Sequence, residues 1–152
     1  MGNPYKIKEL LNHSQWNSLR ITLLSFEKNL RRAQAWLDGA EEKGTFYHRK
    51  LTLSAERRRK AQHNIEKALM VLSTLGESLE VPVENENVAS EMRGEMTVSW
   101  TNLLDNRAGK LGRYGKVHPQ VAGQLDAHIQ QLAEIAQELS AIFGESHKEK
   151  PL

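Results

Sequence analysis

"WNSLRITLLSFEKNLRRAQAWLDGA", residues 16–40, decides the fold class. Its apolar residues Trp16, Leu19, Leu23, Phe26, Leu30, Ala33, Leu37 and Ala40 recur at alternating steps of three and four. A half-buried strand would alternate at every second residue. This spacing instead keeps one helix face apolar for more than three heptads, as in a long helix packed along a partner.

Three more stripes follow. Ala61, Ile65, Ala68, Leu72, Leu75 and Leu79 form the second, with Ser54 as its N-cap. The third is weaker: Ala89, Met92, Met96, Trp100, Leu103, Leu104, Ala108 and Leu111, interrupted by Gly94 and β-branched residues. The fourth runs through Val121, Ala122, Leu125, Ile129, Leu132, Ile135, Ala136, Leu139, Ile142 and Phe143. Pro119 stands at its first position with His118 in the capping slot, and Gly144 supplies a stop. Between the second and third stripes, Asn85 and Asn87 are both able to cap. Asn3-Pro4 opens a short additional helix.

The predicted elements are helices over 4–12, 14–40, 54–79, 87–111 and 119–143, with a frayed tail at 144–152. Short connections between long helices favour antiparallel neighbours. The expected fold is therefore all-α: a single domain over 1–152, built as an up-down-up-down four-helix bundle with a short N-terminal helix.

Composition narrows the function classes. With 39% hydrophobic and 26% charged residues the chain is of the globular type, and only 6% of it is aromatic. The absence of cysteine removes disulfides, thiolate nucleophiles and Cys-ligated zinc, and it suits a reducing compartment. "MGNPYKIKELLNHS" lacks the apolar core of a signal peptide, and Lys6 stands where a myristoylation signal wants Ser or Thr. No apolar run approaches membrane-spanning length. The expectation is a soluble, cytoplasmic protein without a membrane partner.

Charge is sorted, although the net value is only +2. The connection between helices one and two carries Lys43, Arg49, Lys50, Arg57, Arg58, Arg59 and Lys60. The connection between helices three and four carries Arg107, Lys110, Arg113 and Lys116. Together these are eleven of the chain's 21 Lys and Arg residues. In an up-down bundle both connections fall at one pole, and Glu77, Glu80, Glu84, Glu86, Glu91 and Glu95 fall at the other. Cations at the end of helix three favour its dipole, whereas Arg57 to Lys60 sit in the first turns of helix two, where the dipole disfavours them. Local helix stability does not account for that run, and an anion does.

"GKLGRYGK", residues 109–116, adds three glycines each followed by a cation, a loop able to offer amides and charges to a phosphate. It feeds the start of helix four, close to His118. Phe46, Tyr47, His48 and Tyr114 lie among these cations and are available to stack on bases.

Catalytic chemistry finds little support. The glycine loop lacks P-loop spacing, and Val117 follows its last lysine. No histidine has Glu three residues before it, so the motif of a carboxylate-bridged di-metal bundle is missing. No cofactor or metal is expected. His128 borders the fourth stripe and reads as a packing residue. Trp36, just off the first seam, reads as helix packing or a self-association contact. With Ile21 and Leu24 it leaves room for a homo-oligomer.

Arg113 and His118 enclose four residues near the start of the last helix. This Arg-x4-His spacing resembles the signature of HEPN-type ribonucleases, over six residues, with Tyr114 where that pattern usually has a polar residue. The resemblance implies an RNA-cleaving pair at a dimer interface. Without it, the residues point to a non-catalytic bundle that binds a polyanion, RNA or DNA, through its basic pole. A bundle that serves as a protein-protein adaptor is the alternative from another class.

Overall fold

The computed structural model describes residues 5–145. Helix makes up 72% of it and strand 4%, so the all-α expectation holds at the level of fold class. The chain divides into two compact units, residues 1–83 and 84–152. No helix among the described residues is long and apolar enough to cross a membrane.

The first unit holds a 3-10 turn at Ile7–Leu10, helix α1 (His13–Leu37), strands β1 (Glu41–Lys43) and β2 (His48–Lys50), and helix α2 (Ala55–Leu79). Asn12 and Gln15 start α1 with a reciprocal capping box, each side chain accepting the other's backbone N–H, at 2.8 and 2.9 Å. Gly39 ends it. At φ 101° it takes the left-handed conformation that glycine adopts freely, and the Ala40 N–H turns back onto the Ala35 carbonyl. The helix therefore stops at Leu37, three residues short of the expected Ala40. Ser54 caps α2 as expected, accepting the Arg57 N–H at 3.2 Å.

α1 and α2 run antiparallel, and each end of the pair is fastened the same way. The Trp16 indole N–H donates to the Leu79 carbonyl at 2.6 Å, and the Arg58 guanidinium donates to the Leu37 carbonyl. Both acceptors are C-terminal helix carbonyls that lack an intrahelical donor. Leu37, Ile65 and Leu79 are the buried residues of this pair.

The loop expected between α1 and α2 is a β-hairpin, with Glu41 opposite Lys50, Glu42 opposite Arg49 and Lys43 opposite His48. Gly44 to Tyr47 close it, the Gly44 N–H donating to the Tyr47 carbonyl at 2.9 Å. The Tyr47 ring lies where a Cβ on residue 44 would stand, so a side chain at that position would push the ring aside.

The second unit holds α3 (Ala89–Leu104), a one-turn helix α4 (Ala108–Leu111), a 3-10 turn (Gly112–Tyr114) and α5 (Val121–Glu145). Of the two candidate caps, Asn87 accepts the Ala89 N–H. The expected third helix over 87–111 is two pieces. Arg107 is extended, at φ −72° and ψ 159°, and its side chain donates to the Leu104 carbonyl at 3.1 Å. Asp126 on α5 takes the Ala108 N–H at 2.9 Å, which removes that donor from any continuing helix.

α5 starts at Val121, two residues after the expected Pro119, and passes through Gly144 rather than stopping there. Its small residues approach α3. Ala133 and Ala136 are buried, the hydroxyls of Ser140 and Thr97 lie 2.8 Å apart, and a Cβ on Gly144 would crowd the Arg93 side chain at 3.3 Å. These pairings make α3 and α5 antiparallel. The large residues Leu132, Ile135 and Ile142 lie exposed. His128, expected to pack, is exposed too. Asn3, Pro4 and the tail from Ser146 onward lie outside the described residues.

Candidate nucleic-acid interface

The first unit carries the hairpin and the start of α2. In the hairpin turn Tyr47 folds back over Gly44 while Phe46 projects, 97% exposed. On β1, Glu41 lies 3.3 Å from Lys43 and 3.5 Å from His48. Arg49 lies 3.3 Å from Glu42 across the ladder, and its guanidinium sits 5.5 Å from the centroid of the Trp36 ring. Lys50, the last residue of β2, has no ion pair among the described residues.

The run Arg57 to Lys60 resolves into separate tasks. Arg58 is half-buried and serves the end of α1 through Leu37. Lys60 pairs with Glu56 one turn earlier, at 3.2 Å. Arg57 and Arg59 are exposed, and among the described residues neither has an ion-pair partner. The structural account that the sequence lacked therefore covers Arg58 and Lys60 only. The unpaired cations of this unit's patch are Lys50, Arg57 and Arg59.

Trp36 belongs with them. A cleft of about 450 Å³ opens beside the hairpin, walled by Ala33, Trp36 and Leu37 of α1, Leu51 and Leu53 of the segment between β2 and α2, and Ala61 and Ile65 of α2. Arg49 and Lys50 complete the lining. From sequence Trp36 reads as helix packing or a self-association contact, because the hairpin that folds Arg49 onto it leaves no periodic signal.

The second unit carries the glycine loop. Arg107 is half-buried and spends its guanidinium on the Leu104 carbonyl, capping α3. Arg113 donates to the Asp105 carbonyl at 3.2 Å and lies 4.9 Å from the ring centroid of Tyr114, which is 76% exposed. Lys110 and Lys116 are exposed, without an ion pair among the described residues. Of the three glycines only Gly115 takes a left-handed φ, 143°; Gly112 is helical. The loop is thus partly wound: Lys110 and Arg113 project from helical turns, and Lys116 from the irregular segment that follows Gly115.

His118 uses Nδ1 to accept the Gln120 N–H at 3.1 Å, ahead of α5. The N–H it accepts belongs to Gln120, which precedes the helix, so His118 shapes the turn before α5 and does not occupy the capping slot that the sequence suggested. Arg113 and His118, the two residues of the Arg-x4-His spacing, are both exposed and both hydrogen-bonded to local backbone. Among the described residues no group of His, Asp and Glu is placed to hold a metal ion.

Each unit thus carries exposed cations and an exposed aromatic ring, and in the second the Arg113 guanidinium lies beside the Tyr114 ring. Compared with protein-family models, with curated proteins and with solved structures, the chain matches none.

Proposed function

We propose that the protein is a non-catalytic binder of a polyanion, most specifically a single-stranded nucleic acid, and that each unit contributes one contact patch. The first patch comprises Phe46, Tyr47, Lys50, Arg57 and Arg59. The second comprises Lys110, Arg113, Tyr114 and Lys116. The observation that carries this reading is Phe46, a phenyl ring 97% exposed at the tip of a hairpin whose strands end in cations. An isolated exposed ring contributes nothing to a core. Exposed rings carried together with exposed cations form the kind of surface that single strands use, bases stacking while phosphates meet charge. Duplex readout would instead call for an element able to enter a groove, and neither patch offers a long basic helix face.

The test is fluorescence anisotropy with a labelled single-stranded RNA and its DNA counterpart at low salt. Saturable binding of the single strand, and weaker binding of the same sequence as a duplex, is expected. Absence of binding would overturn the reading and leave a protein-protein adaptor in its place. Cleavage of the RNA without added metal, lost in His118→Ala, would restore the ribonuclease suggested by Arg113 and His118.

A further inference from the structure

The cleft beside the hairpin has a size and a lining that select one kind of occupant. Its helical walls run from Ala33 to Leu37 and from Ala61 to Ile65, a single turn each, or roughly 6 Å at the helical rise. A docking helix needs several turns of groove, and an extended acyl chain would overrun this one. A planar heteroaromatic ring fits within it. The volume of about 450 Å³ lies within the roughly 300–1,000 Å³ typical of small-molecule sites.

The chemistry points the same way. The walls are almost wholly apolar, and one is the indole of Trp36 with the Arg49 guanidinium beside it. Indole and guanidinium are both planar surfaces on which nucleobases stack. No carboxylate belongs to the lining; Glu42, across the ladder from Arg49, is the nearest that engages it. Lys50, also in the lining, has no ion pair among the described residues. Arg57 lies one turn before Ala61 on α2, and therefore on the same side of that helix. A base seated in the cleft would leave its flanking phosphates toward these cations. The scarcity of side-chain hydrogen-bond groups in the walls makes such a seat indifferent to which base enters.

Resting on the single-strand reading above, we propose that the Trp36 cleft is a nucleobase seat, holding one unstacked base of the bound strand. The seat contributes affinity that salt does not screen, whereas the surrounding cations contribute affinity that it does.

The experiment compares a base-bearing strand with an abasic strand of equal length, using the full chain. Tryptophan emission of the wild type should fall on adding the base-bearing strand and stay constant with the abasic one. The wild type should also prefer the base-bearing strand. In Ala61→Phe, which fills the cleft, that preference should shrink on the order of tenfold while the salt dependence stays unchanged. Helix content measured on the same sample shows whether Ala61→Phe has folded. If it has not, the emission comparison on the wild type decides alone. Unchanged emission with both strands, or an undiminished preference in a folded Ala61→Phe, would overturn the base seat while leaving the polyanion reading intact. Failure of both strands to bind would overturn both.

Discussion

At the scale of single residues, the same side-chain types do different work according to what they reach. Arg58 and Arg59 are neighbours, yet the first caps a helix and the second is unpaired. Their sequence context does not distinguish them, because the Leu37 carbonyl that selects Arg58 is brought close only by the α1–α2 turn. Glu80 is a further case. It ends α2 in the left-handed conformation, φ 52°, where glycine is the usual occupant. Lys6 at 3.1 Å and Lys8 at 3.4 Å meet its carboxylate. The Lys6 hydrogen bond first, then the charges of Lys6 and Lys8, hold its carboxyl below the ordinary value. A lowered folded-state pKa stabilises above the unfolded value, and that contribution is lost as pH falls through the folded one. Glu80→Gln keeps the backbone strain and removes the charge. Urea midpoints measured against pH should therefore show the variant below the wild type at neutral pH and equal to it in acid. A gap that persists below the carboxylate range would mean that the lysine pairs are not its cause.

At the scale of elements, legibility followed periodicity. The stripes of α1, α2 and α5 announce long helices, and Ser54 was readable as a cap from residue type, whereas the cap position of α3 is Val88, one residue after Asn87. β1 and β2 were not readable. Their sequences, Glu-Glu-Lys and His-Arg-Lys, contain no apolar residue to alternate, and every position is exposed. The hairpin is specified by its ladder and by Gly44, which sequence periodicity cannot register. The break after Leu104 was hidden for another reason: Ala108 and Leu111 continue the apolar stripe, but Asp126, eighteen residues further on, takes the Ala108 N–H. The α3–α5 seam also reverses the natural guess, since it buries alanine and leaves leucine exposed. Ala133 is 1% exposed, so Ala133→Leu forces a larger side chain into a closed helix contact and should cost about 1–3 kcal/mol. Leu132→Ala, one residue away and half exposed, should cost well below that. Urea unfolding of both variants checks the seam; the opposite ranking would place the wrong face of α5 against α3.

At the scale of the whole molecule, a net charge of +2 conceals two cation-rich connections, one in each unit. The charge sorting was legible because it needs only chain order. Which cations are available was not legible, since Arg58, Arg107 and Arg113 donate to backbone carbonyls and Arg49 and Lys60 pair with glutamates. The central claim is that the remaining cations, together with Arg113, which stays exposed while donating to the Asp105 carbonyl, bind phosphates. Its most direct test is the salt dependence of single-strand affinity, measured by anisotropy for the wild type, for Lys50, Arg57 and Arg59 replaced together by alanine, and for Lys110, Arg113 and Lys116 replaced together. Each phosphate contact releases counterions and contributes about −0.7 to the log–log slope. The wild type should show a steep negative slope, and each triple variant should flatten it by up to about two units with helix content unchanged. A wild-type slope near zero, or a steep slope that neither triple variant alters, would contradict the account.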